Sequence, residues 1–145
     1  MNFKKIEQSI RHSGWFYFGR KKSKCSSFTE ENLEFYERTG GLPPPCDRCY
    51  KALIFWESNY SEENIRNLFN LIDLSEVDGK LNKRVVVFYF WNKDEMLDFL
   101  KRLEKKMEEH GVKGKTQWRR ACREYQDRRP ELWKSAKEFV PDHAK

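Results

Sequence analysis

Cys46 and Cys49 have the one spacing in this chain that is typical of metal or redox chemistry. Two thiolates separated by two residues can bind one tetrahedral Zn²⁺ from a single tight turn. Such a site needs four ligands, and the upstream side chains of suitable type are Cys25 and His12. The sequence therefore predicts a structural zinc held by Cys46, Cys49, Cys25 and His12, although only the gap of two residues is a standard zinc spacing.

Three other interpretations of these cysteines stay open. Cys46 and Cys49 could be the dithiol of a thiol-redox or metal-dependent enzyme, with Arg48 and Lys51 favouring the thiolate. An iron–sulfur cluster would add Cys25, but the chain has no compact four-cysteine pattern. The simplest interpretation is that the thiols are ordinary buried or loop cysteines.

The C-terminal part of the chain shows a helical pattern followed by basic side chains. Apolar side chains at i, i+3, i+4 and i+7 predict a helix over residues 116–128, with Cys122 on its packed face. This helix would place three guanidiniums on its opposite side: Arg119, Arg120 and Arg123. A basic loop near the N-terminus would extend the cationic surface with Arg20, Lys21 and Lys22.

Charge is distributed unevenly along the chain. The total is +6, with +6 over residues 1–25, −5 over residues 26–111 and +5 over residues 112–138. If the fold brings the two basic ends together, they form a surface that attracts the phosphates of RNA or DNA. The alternative is that these side chains are solvated and only maintain solubility.

Strand and helix signals alternate along the chain. Aromatic and β-branched runs predict strands over residues 15–18, 50–57 and 85–91, and the continuous apolarity of the last predicts a central strand. Capping residues and apolar spacing predict helices over residues 29–38, 61–72, 94–110 and 131–139, besides that over 116–128. Thr29 and Ser61 cap the first two at their start, and Gly111 ends the third.

This order predicts an α/β fold with right-handed crossovers. We expect a small three- to four-stranded sheet with helices packed mainly on one face, and two C-terminal helices. The alternative is a ferredoxin-like α+β sandwich, which needs an additional strand within residues 74–84.

Size and composition favour one domain over residues 1–145, with residues 1–13 and 140–145 as flexible ends. Twenty-two aromatic residues are enough to form a core. The longest apolar run has seven residues, against the about 20 that cross a bilayer. The N-terminal residues lack the apolar run of a secretory signal, so we expect a cytoplasmic protein without a membrane partner.

Motifs for nucleotide binding through glycine-rich loops, for serine hydrolases and for helical zinc proteases are missing from the sequence. We therefore expect a small intracellular binding module, not an enzyme. Its basic surface would bind RNA, DNA or an acidic protein, with zinc as the one candidate cofactor. A subunit of a larger protein assembly is a further alternative.

Overall fold

The computed structural model describes residues 2–19, 29–39, 42, 46–73 and 76–120. In these ranges the elements follow in the order α1 (Phe3–Ser13), β1 (Phe16–Phe18), α2 (Glu30–Thr39), a 3₁₀ turn (Cys46–Arg48), β2 (Tyr50–Phe55), α3 (Glu62–Leu71), β3 (Asp78–Leu81), β4 (Val85–Phe90), α4 (Lys93–His110) and β5 (Lys115–Arg120).

The five strands form one sheet in the order β1-β3-β4-β2-β5. Every hydrogen-bonded pair in it is antiparallel. β2 lies between β4 and β5 and pairs with each of them over its full length of six residues. The position of β4 at the centre of the sheet confirms the prediction from its continuous apolarity.

The crossovers explain why α3 and α4 share one face of the sheet. α3 connects β2 to β3, and both strands are antiparallel to the intervening β4. α4 connects β4 to β5, which are both antiparallel to the intervening β2. The connection through α3 crosses the sheet in one direction, and the connection through α4 crosses it in the other. The strands from which they start, β2 and β4, also run in opposite directions. Two crossovers of the same hand therefore place both helices on the same face of the sheet.

Short polar side chains begin all four described helices, and glycine ends two. The side chains of Asn2, Thr29, Ser61 and Asn92 each accept a hydrogen bond from a backbone N–H of the first helical turn. Gly111 ends α4 in the left-handed region, with φ of 70°. The predicted Ser61 and Gly111 caps are therefore confirmed.

The main core lies between the sheet and helices α1, α3 and α4. The sheet contributes alternate residues to it, among them Ala52, Ile54, Val86, Phe88 and Trp118. In β3, Gly79 has Phe18 directly against its backbone, where a Cβ would overlap the ring. These side chains share one face of the sheet, which is the core face. This agrees with the expectation that the helices pack mainly on one face.

The sheet differs from the one expected from the sequence. The sheet has five strands and not three or four. β3 lies within residues 74–84, the region in which the ferredoxin-like alternative requires an additional strand. Residues 3–13 form α1, and Ile6 of this helix is buried in the core.

The helix predicted from residue 116 is wrong over residues 116–120, which form β5. Trp118 has helical spacing with Ala121 and Cys122, but it also alternates with Thr116 as in a strand. Pairing with β2 decides between the two. A strand places every second side chain in the core, so Trp118 is buried among Ala52 and Ile54. The rest of that segment, the helix predicted over residues 131–139 and the end segment 140–145 lie outside the described residues.

Candidate nucleic-acid interface

The cysteine pair lies in the turn that leads into β2. Cys46 begins a 3₁₀ turn, and the Cys49 backbone N–H donates to the Cys46 carbonyl at 3.2 Å. Neither cysteine is in a disulfide, and both are buried, with exposed fractions of 3% and 2%. Burial limits the access of reagents to a thiol, so buried cysteines react slowly. The turn is also only three residues long, so it supplies little of the helix dipole that activates a redox thiol.

The structure describes three of the four zinc ligands expected from the sequence. His12 lies in the last turn of α1 with its side chain exposed, and Cys25 is outside the described residues. Within the described ranges, no group of three or more His, Cys, Asp or Glu side chains is placed to hold a metal ion. Zinc binding by Cys46 and Cys49 stays a prediction.

Arg119 and Arg120 lie on opposite faces of the sheet, because they are neighbours in a strand and not in a helix. Arg120 is aligned with Tyr50, and its guanidinium lies 5.3 Å from the centre of that ring. Arg119 is aligned with Lys51 on the other face. The prediction of a cationic helix surface is therefore wrong for Arg119 and Arg120. The other predicted phosphate contacts lie outside the described residues: Arg123, Arg20, Lys21 and Lys22.

We call the sheet face opposite the core the distal face. The strand registers align its side chains in rows that cross the sheet. One row contains Tyr17, Lys80, Val87, Leu53 and Gln117. A second row contains Asp78, Tyr89, Lys51 and Arg119. The distal face thus combines aromatic and cationic side chains from all five strands.

Lysine side chains lie against aromatic rings on this face. The Lys80 Nζ is 4.1 Å from the centre of the Trp15 ring and 5.9 Å from that of Tyr89. The Lys51 Nζ is 5.6 Å from the same Tyr89 ring. Cations over aromatic faces are attracted by the ring quadrupole. The ammonium groups of Lys51 and Lys80 therefore lie near the same Tyr89 ring.

A concavity of about 320 Å³ lies on the distal face around these side chains. Leu53 and Val87 form a floor that is 5% and 7% exposed, and Phe55 and Val85 extend it. Its other lining residues are Trp15, Asn82 and four cationic side chains: Lys51, Lys80, Arg84 and Arg119. Among the described residues that line it, none is acidic.

One acidic residue on the distal face is Asp78, at the end of β3. It is not part of the lining of the concavity, and its Oδ1 lies beside the backbone of Gly19, at the end of β1. The acid is thus displaced toward the β1 edge of the sheet. The concavity itself has a cationic rim and an apolar floor, which suits a ligand that is both anionic and planar.

Two other cavities have a different character. One of about 430 Å³ lies between α3, α4 and the end of β4, and its charged lining residues are of both signs: Asp73, Glu76, Arg102 and Lys106. Another of about 270 Å³ is lined mainly by polar side chains near the start of α3. Neither offers the single sign of charge that the distal concavity has, so neither favours a charged ligand.

Sequence reasoning missed most of the residues around the distal concavity. Of the described basic residues expected to contact nucleic acid, Arg119 lines it, and so does Lys51, which the sequence had suggested only as a neighbour of the cysteines. The signals were present as alternation: Lys51, Leu53 and Phe55 are two residues apart in β2, and Trp15 and Tyr17 are two residues apart at β1. This alternation does not show which strands become neighbours, so the sequence alone could not predict that these residues form one site.

Comparisons with protein-family models, with curated proteins and with solved structures found no match to this chain. In the part of the chain that the structure describes, no helix is both long and apolar enough to cross a membrane. The functional argument therefore rests on the chain's own residues and their arrangement.

Proposed function

We propose that this protein is a nucleic-acid-binding module that uses the distal face of its sheet. The observation that carries the proposal is the concavity with a cationic rim and an apolar floor. Phosphate groups interact favourably with clustered Lys and Arg, and a guanidinium can hold two phosphate oxygens at once. Nucleic acid is the abundant ligand class that presents phosphates next to flat, largely apolar rings.

The topology supports the same function. From β2 to β5 the order is β-α-β-β-α-β, and the sheet order of these strands is β3-β4-β2-β5. We infer a ferredoxin-like α+β sandwich with β1 added at one edge. By analogy, RNA-recognition modules hold RNA on the face of a four-stranded sheet. Fold-level analogy does not establish function, so the argument depends on the side chains of the distal face.

The charge on the distal face distinguishes this proposal from protein binding. Protein interfaces are depleted of Lys at their centres, since its ammonium group is costly to desolvate. Here Lys51 and Lys80 lie near the middle of the face, in rows with Tyr89 and Val87. Phosphates neutralise cationic groups of this kind, whereas an apolar protein partner would desolvate them without adding a compensating charge.

The test is binding of a fluorescently labelled oligonucleotide of about 20 nucleotides to the full chain, followed by anisotropy. We expect affinity to fall steeply between about 50 and 200 mM salt, because bound phosphates release counterions. Lys80→Gln and Arg119→Gln should each reduce the slope of log K against log salt by about 0.7.

Lys101→Gln and Lys105→Gln are the matched controls, because both lysines are exposed on α4, away from the distal face. They should leave the slope unchanged. The proposal is rejected if no binding is measurable at about 50 mM salt, or if the α4 variants weaken binding as much as the distal-face variants do.

A further inference from the structure

The exposed side of α1 is basic along its whole length. At about 100° per residue, five of its exposed side chains fall within one stripe about 120° wide. We call these residues the α1 stripe: Lys4, Lys5, Gln8, Arg11 and His12. The opposite side of the helix holds Ile6, which is buried in the core. The stripe therefore presents three Lys or Arg side chains to solvent and no carboxylate.

Glu7 is the one acidic residue of α1, and its carboxylate lies beside a cation from another element. The Lys83 Nζ is 3.8 Å from the Glu7 Oε2. Among the described residues, Lys4, Lys5 and Arg11 form no ion pair. The positive charge of the stripe is therefore not compensated by ion pairs in the described part of the fold.

The exposed sides of α3 and α4 differ from the α1 stripe. Arg66 pairs with Glu62 one turn earlier in α3, and Arg102 pairs with Asp98 one turn earlier in α4. Pairs of this kind are typical of a helix face that is only solvated. A helix face with charges of a single sign instead attracts ligands of the opposite charge.

The turn between β3 and β4 adds two cations next to α1. Lys83 and Arg84 are both exposed in this turn. Lys83 lies against Glu7 of α1, whereas Arg84 lines the distal concavity. The turn therefore connects the concavity to α1, so that the two cationic surfaces are continuous.

The backbone of this turn is fixed by Asn82 and Trp56. The Asn82 Oδ1 accepts hydrogen bonds from the N–H groups of Arg84 at 2.8 Å and Val85 at 3.0 Å. The Trp56 indole N–H donates to the Asn82 carbonyl at 3.1 Å, and the Trp56 backbone N–H donates to the Arg84 carbonyl at 3.0 Å. Because Trp56 is fully buried, the core holds the backbone from which Arg84 extends. A fixed backbone reduces the entropy lost when a ligand binds.

We infer that the α1 stripe and the β3–β4 turn form a second phosphate-binding surface, onto which a nucleic acid held in the distal concavity extends. This inference rests on the proposed function and specifies the path of its ligand. α1 and residues 82–84 carry five Lys or Arg side chains, against two carboxylates when Glu57, which follows Trp56, is included. Lys4 and Arg11 are about 10 Å apart along the helix axis, which corresponds to about three phosphates at 3.4 Å per nucleotide of one strand.

The continuity through Arg84 favours nucleic acid over an anionic membrane as the partner. Charge by itself would suit either one, because both present many phosphates. A nucleic acid can lie in the concavity and reach α1 over the turn. A flat lipid surface would contact α1 but would leave the concavity unused.

The experiment compares two lengths of labelled oligo-deoxythymidine, about 5 and about 20 nucleotides, by anisotropy with the full chain. The shorter strand can occupy the concavity, and the longer one can reach both surfaces. We expect the slope of log K against log salt to be steeper for the 20-mer by at least about 1.4, since each additional phosphate contact contributes about 0.7.

A Lys4→Gln, Lys5→Gln double variant tests the α1 stripe directly. Gln has nearly the helix propensity of Lys, so α1 should stay folded, which circular dichroism checks. The variant should reduce the slope for the 20-mer by about 1.4 and weaken its binding about tenfold at about 100 mM salt. The loss should be smaller for the 5-mer, and Lys4→Arg, Lys5→Arg should retain the affinity for the 20-mer.

The matched control is a Lys101→Gln, Lys105→Gln double variant, which removes the same charge from the exposed side of α4. It should keep the affinity for the 20-mer within about twofold. Equal losses in the α1 and α4 variants would show an effect of net charge alone and overturn the inference.

The remaining outcomes separate the inference from the proposed function. Equal salt slopes for the two lengths overturn the inference, while the proposed function stands if Lys80→Gln weakens the binding of both. An α1 variant that loses binding to phosphatidylserine vesicles but retains the 20-mer identifies a membrane surface and also overturns it. Absence of binding to either strand rejects the inference together with the proposed function.

Discussion

The carboxamide of Asn64 pairs with the backbone of Lys113 in both directions. Asn64 Nδ2 donates to the Lys113 carbonyl at 2.7 Å, and the Lys113 N–H donates to Asn64 Oδ1 at 2.9 Å. Asn64 is the one buried polar residue in the described ranges, with an exposed fraction of 7%. The pair connects the first turn of α3 to the segment that leads into β5, the strand that places Arg119 on the distal face.

Replacing Asn64 by Ala should destabilise the fold strongly. The substitution leaves the N–H and the carbonyl of Lys113 without their partner, and also removes a donor to the Asn59 carbonyl. Unsatisfied groups of this kind cost about 1–3 kcal/mol each, so we expect a loss of about 2–4 kcal/mol in the free energy of unfolding by urea. Asn67→Ala, one turn further along α3, is the control and should cost under about 1 kcal/mol. Equal losses in the two variants would show that the pairing with Lys113 is unimportant.

Tyr60 should ionise at unusually high pH. Burial raises the pKa of Tyr60 to about 12 from its ordinary value of 10.0, and the carboxylate of Glu7 acts in the same direction. The hydroxyl is shielded from solvent and has no hydrogen-bond partner among the described residues. Chemical shifts of ¹³C-labelled tyrosine against pH should therefore show one resonance that titrates about two units above its ordinary pKa.

The raised pKa of Tyr60 also makes the free energy of unfolding depend on pH. Because the folded chain keeps the Tyr60 proton after the unfolded chain has lost it, stability is unaffected below pH 10 and falls as pH rises from about 10 to about 12. Tyr60→Phe should remove this part of the fall. Glu7→Gln should lower the pKa of Tyr60 only in part, since burial is the larger cause, and Glu104→Gln on α4 should leave it unchanged. A resonance of Tyr60 that titrates near 10 contradicts the prediction.

Cys46 and Cys49 should react slowly with dithiobis(nitrobenzoate) in the folded chain, because both side chains are buried. A Cys25→Ser, Cys122→Ser double variant isolates the two thiols for this measurement. We expect slow release of the chromophore in buffer and rapid release of two equivalents in denaturant. Rapid reaction of both thiols in buffer would contradict the prediction and favour the thiol-redox alternative.

Repeating the reaction on the full chain with a chelator tests the zinc prediction. Zinc-bound thiolates become reactive when the metal is removed, and metal binding energy is part of the folding energy. If zinc is held, the purified chain carries about one equivalent of it, and Cys46→Ser both releases the metal and lowers the Tm. Chelator-independent protection, with no metal in elemental analysis, rejects the zinc site and assigns the thiols to packing.

The sequence alone determined the helices and strands whose signals are local. Ser61 and Gly111 bound helices because capping depends on a few neighbouring residues, and the continuous apolar run from Val85 predicts a central strand. The tertiary structure decided what depends on distant partners. Residues 116–120 satisfy two periods, and only the antiparallel pairing with β2 makes them a strand.

The formation of a strand instead of a helix by residues 116–120 also determined the candidate site. In a helix, Arg119 and Arg120 would share a surface, whereas in β5 they lie on opposite faces of the sheet. Lys51, Lys80 and Trp15 are far apart in sequence, and strand order brings them to one concavity. Side-chain types indicate which chemistry the chain can perform, but the proximity of these residues follows from long-range hydrogen bonding and core packing, which no local pattern encodes.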